Sequence, residues 1–135
     1  MLRAEDGDDL FAVLSAFATA HTIRAGAIVS GIGMVRRATL GFWNGQEYVP
    51  AELEEPHEIV ALHGSIAEVD GAPSVHLHAG FADRHHRVLG GHLLRATLMV
   101  IGEIVVEEFP GKVFGRPLDE SFGLRRLDLD PGPTG

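Results

Sequence analysis

The sequence predicts an α+β domain: a mostly antiparallel β-sheet packed with one main N-terminal helix. Three observations carry that expectation. One stretch near the N-terminus has helical apolar periodicity. Most of the remainder is a succession of β-type runs punctuated by glycine. The 17 glycines and 7 prolines supply the turns that such a sheet requires.

In "DDLFAVLSAFATAH", Leu10, Val13, Leu14 and Phe17 fall at offsets of three and four, one apolar stripe with Asp8 or Asp9 placed to cap its start. "AGAIVSGIG" is a short apolar strand and "RRATLGFW" has strand composition. Between them "GIGMVRR" suits a bend; it holds no GxxxxGK[ST] or full GxGxxG and so is no phosphate loop. "HEIVALHGSIAEV" and "SVHLHAGF" alternate over part of their length. "LLRATLMVIGEIVVEEF" is too long for one ordinary strand and is expected to bend or turn near Gly102. "LRRLDLDPGPTG" alternates briefly, then leads into an expected disordered tail, residues 131–135. No repeat, low-complexity tract or linker divides the chain, so a single domain is expected over 1–130.

With 45% hydrophobic and 22% charged residues the composition is globular. Cysteine is absent, which fits a reducing compartment and removes thiolate chemistry. The N-terminus lacks the apolar run of a signal peptide, and no stretch approaches the ~20 apolar residues of a membrane span, so a soluble, cytoplasmic protein is expected. Nineteen acids against 11 bases give a net charge of −8, which opposes binding to phosphate backbones.

Five of the eight histidines fall within "SVHLHAGFADRHHRVLGGHL", residues 74–93. Such a crowd can be a metal site, an acid–base site or a polar turn. On a strand, His76 and His78 share one face while Val75, Leu77, Ala79 and Phe81 share the other. Two imidazoles at that spacing can reach one ion at the ~2.0–2.1 Å of a Zn–N bond. His92 follows His78 by a separation that a loop and the start of a neighbouring strand can bridge, and Gly90 and Gly91 before it permit close backbone approach. Three neutral imidazoles would leave a divalent ion charged and with an open position, the pattern of a catalytic rather than a structural site. His85 and His86, within "DRHHR", read as solvated turn residues; His21, His57 and His63 have no local partner and read as surface or packed histidines.

The order "GIG" (31–33), "EI" (58–59), "LHG" (62–64), "HLHA" (76–79), "GGHL" (90–93) and "GEI" (102–104), with a late Arg and "FGL" around 116–124, resembles the plant-and-prokaryote conserved (PPC) domain family over about residues 2–129. The resemblance implies an antiparallel α+β domain, a homotrimer, and a divalent metal, zinc by preference, at His76, His78 and His92. The fold it implies is distantly similar to that of acetolactate decarboxylase, whose zinc is also held by three histidines. Glu58 and Glu103 fall at family-like positions and are candidates to orient a ligand histidine or to act as acid–base groups.

The family is often linked to DNA. Plant members contact it through a separate Arg-Gly-Arg-Pro hook, whereas "GRP" at 115–117 here is followed by Asp119 and Glu120, which oppose entry into the minor groove. Arg116 is instead expected to pair with an acid. Arg36 and Arg37, with Arg125 and Arg126, make at most a small basic patch. Three functions stay open: a metal-dependent enzyme on a small carbonyl or hydrolysable molecule, a DNA-associated regulatory module, and a structural trimer.

Overall fold

The computed structural model describes residues 1–131, so the expected tail lies, beyond Pro131, outside the described residues. The helix forms where the apolar stripe predicts it. It is α1 (Leu10–Ala20), and Asp9 in extended backbone accepts the Ala12 N–H at 2.8 Å to cap it. Asp8 faces back and accepts the Glu5 N–H at 2.8 Å. Leu10, Leu14 and Ala18 are the fully buried stripe, while Phe11, Val13 and Phe17 pack along its margins. His21 ends the helix, donating its backbone N–H to the Phe17 carbonyl.

Six strands form the main sheet: β1 (Leu2–Glu5), β2 (Gly26–Trp43), β3 (Tyr48–Leu53), β4 (His57–Val69), β5 (Ala72–Ala82) and β6 (Val88–Glu108). They run antiparallel in the order β1-β6-β5-β4-β2-β3. Because β2 also pairs with β6, the strands β2, β4, β5 and β6 close on themselves. A minor hairpin, β7 (Leu118–Asp119) and β8 (Leu124–Arg125), follows. The expected α+β architecture with a mostly antiparallel sheet and one main helix is what forms.

Strand lengths depart from the sequence reading. "AGAIVSGIG" and "RRATLGFW" are two parts of one 18-residue strand, and the run through Gly102 is part of one 21-residue strand. Bulges take the place of chain reversals. Between Gly33 and Met34 the partner on β6 jumps from Gly102 to Met99, so Val100 and Ile101 have no opposites on β2. Gly33 sits there at φ 132°, where a β-carbon would run into the Ile101 carbonyl oxygen. Val100 takes φ 65° and gives its N–H to Asp6 Oδ1 at 2.9 Å. Two strands of the main sheet escaped the sequence reading. β1 has only four residues, and β3 carries Pro50, which its place at the sheet edge tolerates.

The core fills the inside of this arrangement. Leu10 and Leu14 from the helix meet Leu77 and Phe81 of β5, Leu93 and Leu98 of β6, and Leu62 and Ile66 of β4, none more than 1% exposed. β5 therefore alternates as its sequence requires. Leu77, Ala79 and Phe81 point into the core, which turns His76 and His78 to the other face.

Candidate metal centre

A tight turn between β5 and β6 brings the third histidine to the first two. The Asp83 carboxylate holds it, accepting the backbone N–H groups of His85 at 2.8 Å and Arg87 at 3.0 Å and the Arg87 Nε at 2.8 Å. The resulting register sets His78 opposite His92, Ala79 opposite Gly91 and Gly80 opposite Gly90. A β-carbon on Gly90 would lie 3.0 Å from the Ala79 carbonyl oxygen, so the glycine allows the strands to close. The pairing of β5 with β6 stops at His78–His92: β5 continues along β4 and β6 along β2. His76 and His92 face each other across the point where the strands part.

There the three imidazoles converge. Their candidate ligand nitrogens all lie within 4.8 Å of one another, and His76 Nε2 is 3.1 Å from His92 Nδ1. Ring centroids are 4.9 Å apart for His76–His92 and 5.3 Å for each pair with His78. Two neighbours fix the rings. Tyr48, the chain's one tyrosine, stacks on His92 with centroids 4.4 Å apart and planes 14° off parallel, and Trp43 braces Tyr48 edge-on at 5.2 Å. Arg116 Nη1 points at His76 Nδ1 at 3.5 Å, and its Nη2 donates to Ser65 Oγ at 2.6 Å. At 3.5 Å the contact to His76 is at the limit of a hydrogen bond and leaves either ring nitrogen of His76 free to carry the proton.

Burial, then the Arg116 charge, then His92 and His78, hold the His76 pKa down from 6.5 to about 4. Burial and His78 lower that of His92 as well. Between the free and folded values of His76 the unfolded chain binds a proton that the folded chain refuses, so acid favours unfolding. The metal-free protein should therefore lose stability as the pH falls from 6.5 toward about 4. Thermal melts in chelator across that window should show a falling Tm whose slope flattens in His76→Gln; an identical slope in the variant would contradict the assignment.

The other singled-out residues fall outside the cluster. His85 and His86 are exposed in the turn, and His63 is exposed and donates from Nδ1 to the Val29 carbonyl at 2.9 Å. His57 is buried, with Nδ1 2.7 Å from the Glu55 carbonyl oxygen. Glu58 pairs in register with Ala82, four residues beyond His78 and so roughly 13 Å along the strand. Glu103 pairs with Arg3 and Ile32, eleven residues past His92 on β6. Neither carboxylate hydrogen-bonds to a histidine among the described residues.

Arg116 corrects an expectation. It is no surface arginine paired to an acid but a side chain only 6% exposed, placed between Ser65 and His76. Its loop is pinned by bridges from Gly115 to Glu68 and to Asp128, contacts between distant residues that no local pattern announces. Tyr48 was equally hidden, since stacking on His92 follows only once β3 lies beside β2. The basic pairs form no common patch: Arg36 is bound to Asp6 at 2.9 Å and Arg126 to Asp119 at 2.6 Å, while Arg37 lines a different cleft from Arg125 and Arg126.

Residues 1–110 match the Plants and Prokaryotes Conserved (PCC) domain. The chain is 36% identical over 131 residues to the bifunctional protein GlmU of a Synechococcus strain, covering 96% of this chain and 20% of that protein. The chain thus spans about a fifth of the length of the curated relatives it matches. Among solved structures it resembles a metal-containing protein from Archaeoglobus fulgidus (34% identity, 94% of this chain and 90% of that one, TM-score 0.86). It also resembles a candidate DNA-binding protein from Ralstonia eutropha (29% identity, 95% and 89%, TM-score 0.87). With the strand order, the histidine pair on β5 and the glycine-led histidine on β6 in place, the chain belongs to the plant-and-prokaryote conserved domain family.

Proposed function

We propose that this protein holds one divalent ion, zinc by preference, at His76, His78 and His92, and uses it on a small molecule. The convergence of three histidine donors within 4.8 Å carries the reading. The donor set fits the ion. Adjacent nitrogens around a tetrahedral zinc stand about 3.3 Å apart, close to the 3.1 Å between His76 and His92, and burial keeps both rings in the neutral form that can donate a lone pair. The Archaeoglobus relative described as metal-containing supports it. An ion bound here supplies polarisation of a carbonyl or activation of water. Around it Tyr48 holds the His92 ring in place, and Arg116 lies beside His76. The distant fold likeness to acetolactate decarboxylase belongs to the same proposal. Elemental analysis of the purified chain should find about one equivalent of metal; a metal-free protein that takes up none on zinc addition would end the proposal.

The homotrimer and the cytoplasmic setting are part of this reading. Val29, Ile32, Val60, Val88 and Val100 are exposed on the strands, and Val60 and Val88 flank Gly80 on the face that carries the histidines. Copies of the chain are the occupant this apolar surface fits, because a symmetric interface buries the same exposed apolar residues on every copy. Light scattering should give about three times the 14.5 kDa chain mass; a concentration-independent monomer would contradict it. Among the described residues no helix is long and apolar enough to cross a membrane.

A DNA-associated role is the second reading, favoured by the Ralstonia relative. The net charge of −8 opposes it. Fluorescence anisotropy at ~0.15 M salt should give a duplex Kd no tighter than the ~10⁻⁴–10⁻⁶ M of non-specific binding. Sequence-selective nanomolar binding would promote the regulatory reading over the enzymatic one.

A further inference from the structure

Between the parting strands β5 and β6 lies an open cleft of about 750 Å³, within the usual range of small-molecule sites. In a chain of net charge −8 its lining is anomalous. Arg116, Arg125 and Arg126 line it together with His76 and His92, and among the described residues no carboxylate does. Arg126 is already paired with Asp119, and Arg125 donates to the Arg116 carbonyl oxygen at 2.9 Å. Arg116 is the exception. It is buried, makes no ion pair among the described residues, and its Nε has no hydrogen-bond partner. The Ser65 hydroxyl and two 3.5 Å contacts, to the Ser65 carbonyl oxygen and to His76, are too little for a desolvated guanidinium, which is stable in such a place only beside an anion. Val75, Leu124 and Leu127 form apolar wall in the same cleft, which suits a carbon skeleton rather than a bare inorganic ion.

We propose that the cleft binds a small organic carboxylate, its anionic end held by Arg116 and its carbon chain lying along the apolar wall beside the histidine centre. The proposal deepens the reading of that centre as a ligand-binding site and rests on it for the site's location. A planar guanidinium matches a carboxylate with two parallel N–H donors, and the Ser65 hydroxyl orients it.

The probes are isovalerate, its neutral near-isostere isovaleramide, and inorganic phosphate, titrated by calorimetry into zinc-loaded and chelator-treated full chain. Wild type should bind isovalerate at least ~10-fold tighter than the amide, and tighter than phosphate. Arg116→Gln should erase the preference while elemental analysis shows its zinc retained, and Arg116→Lys should keep part of it. The carboxylate–amide comparison in wild type needs no variant, so a misfolded Arg116→Gln would not shelter the idea. Equal binding of acid and amide, tighter binding of phosphate, or a preference that survives in Arg116→Gln would each overturn it. Zinc binding without a carboxylate preference refutes this inference alone; an Arg116-dependent preference in a chain that takes no zinc refutes only the metal reading.

Discussion

Replacing His92 with alanine should empty the metal site. His92 is the cross-strand partner of His78, lies 3.1 Å from His76 Nε2 and is held by the Tyr48 ring, so it is the residue that closes the donor set. Two imidazoles on one strand are a chelate too small to retain zinc against dialysis. Since losing a mere supporting contact costs 10–100-fold in affinity, losing a ligand should cost at least ~100-fold. His76→Ala and His78→Ala should behave the same way. His85→Ala and His86→Ala, in the turn of the same hairpin but outside the cluster, should keep their metal. A surface that is only histidine-rich would lose affinity gradually at all five positions. Elemental analysis of the wild type and five variants after dialysis against metal-free buffer separates the two cases, with circular dichroism to verify folding. Equal metal in His92→Ala and wild type would break the triad.

Gly64→Ala should be the most damaging single methyl near the site. Gly64 lies on β4 opposite Leu77, where an added β-carbon would run into the His76 carbonyl oxygen and press to 2.9 Å from Leu77 Cδ2. Leu77 is fully buried, so it has no room to withdraw, and backbone does not yield cheaply. The strands must separate directly behind His76. We expect a loss of roughly 3 kcal/mol, the upper end for overpacking, and a Tm lower by about 10 °C. Zinc affinity should fall with it, because His76 moves with its strand. Gly80→Ala is the control: its β-carbon meets nothing nearer than 3.5 Å and should cost below about 1 kcal/mol. Chemical denaturation of both variants measures the contrast, and a Gly64→Ala protein as stable as wild type would contradict the β4–β5 register.

What was legible in the sequence is what repeats locally. The offsets of Leu10, Leu14 and Phe17 mark a helix because helical neighbours recur at three and four residues. The alternation of Val75 to Phe81 places His76 and His78 on one face because strand side chains alternate. His92 was reachable for the same reason, since one short turn returns the chain antiparallel and the two glycines before it let the strands close. What stayed hidden depends on contacts between distant parts of the chain. The bulge at Val100 exists only because β6 must keep pairing with β2 past Gly33, and a periodicity broken by a bulge reads as a strand end. Arg116 looked like a loop arginine because Ser65, its partner, is 51 residues away. Tyr48 lies in a run interrupted by proline, with no signal that it would face a histidine.

The claim on which the functional account rests is that His76, His78 and His92 grip one ion together. Crystals of zinc-loaded protein, with diffraction recorded just above and just below the zinc absorption edge, address it directly. The account predicts one anomalous peak per chain that disappears below the edge, about 2.0–2.1 Å from a nitrogen of each of the three rings, with a further position open toward the cleft that Arg116 lines. Zinc found elsewhere on the chain, or held by only one of these histidines, would contradict it.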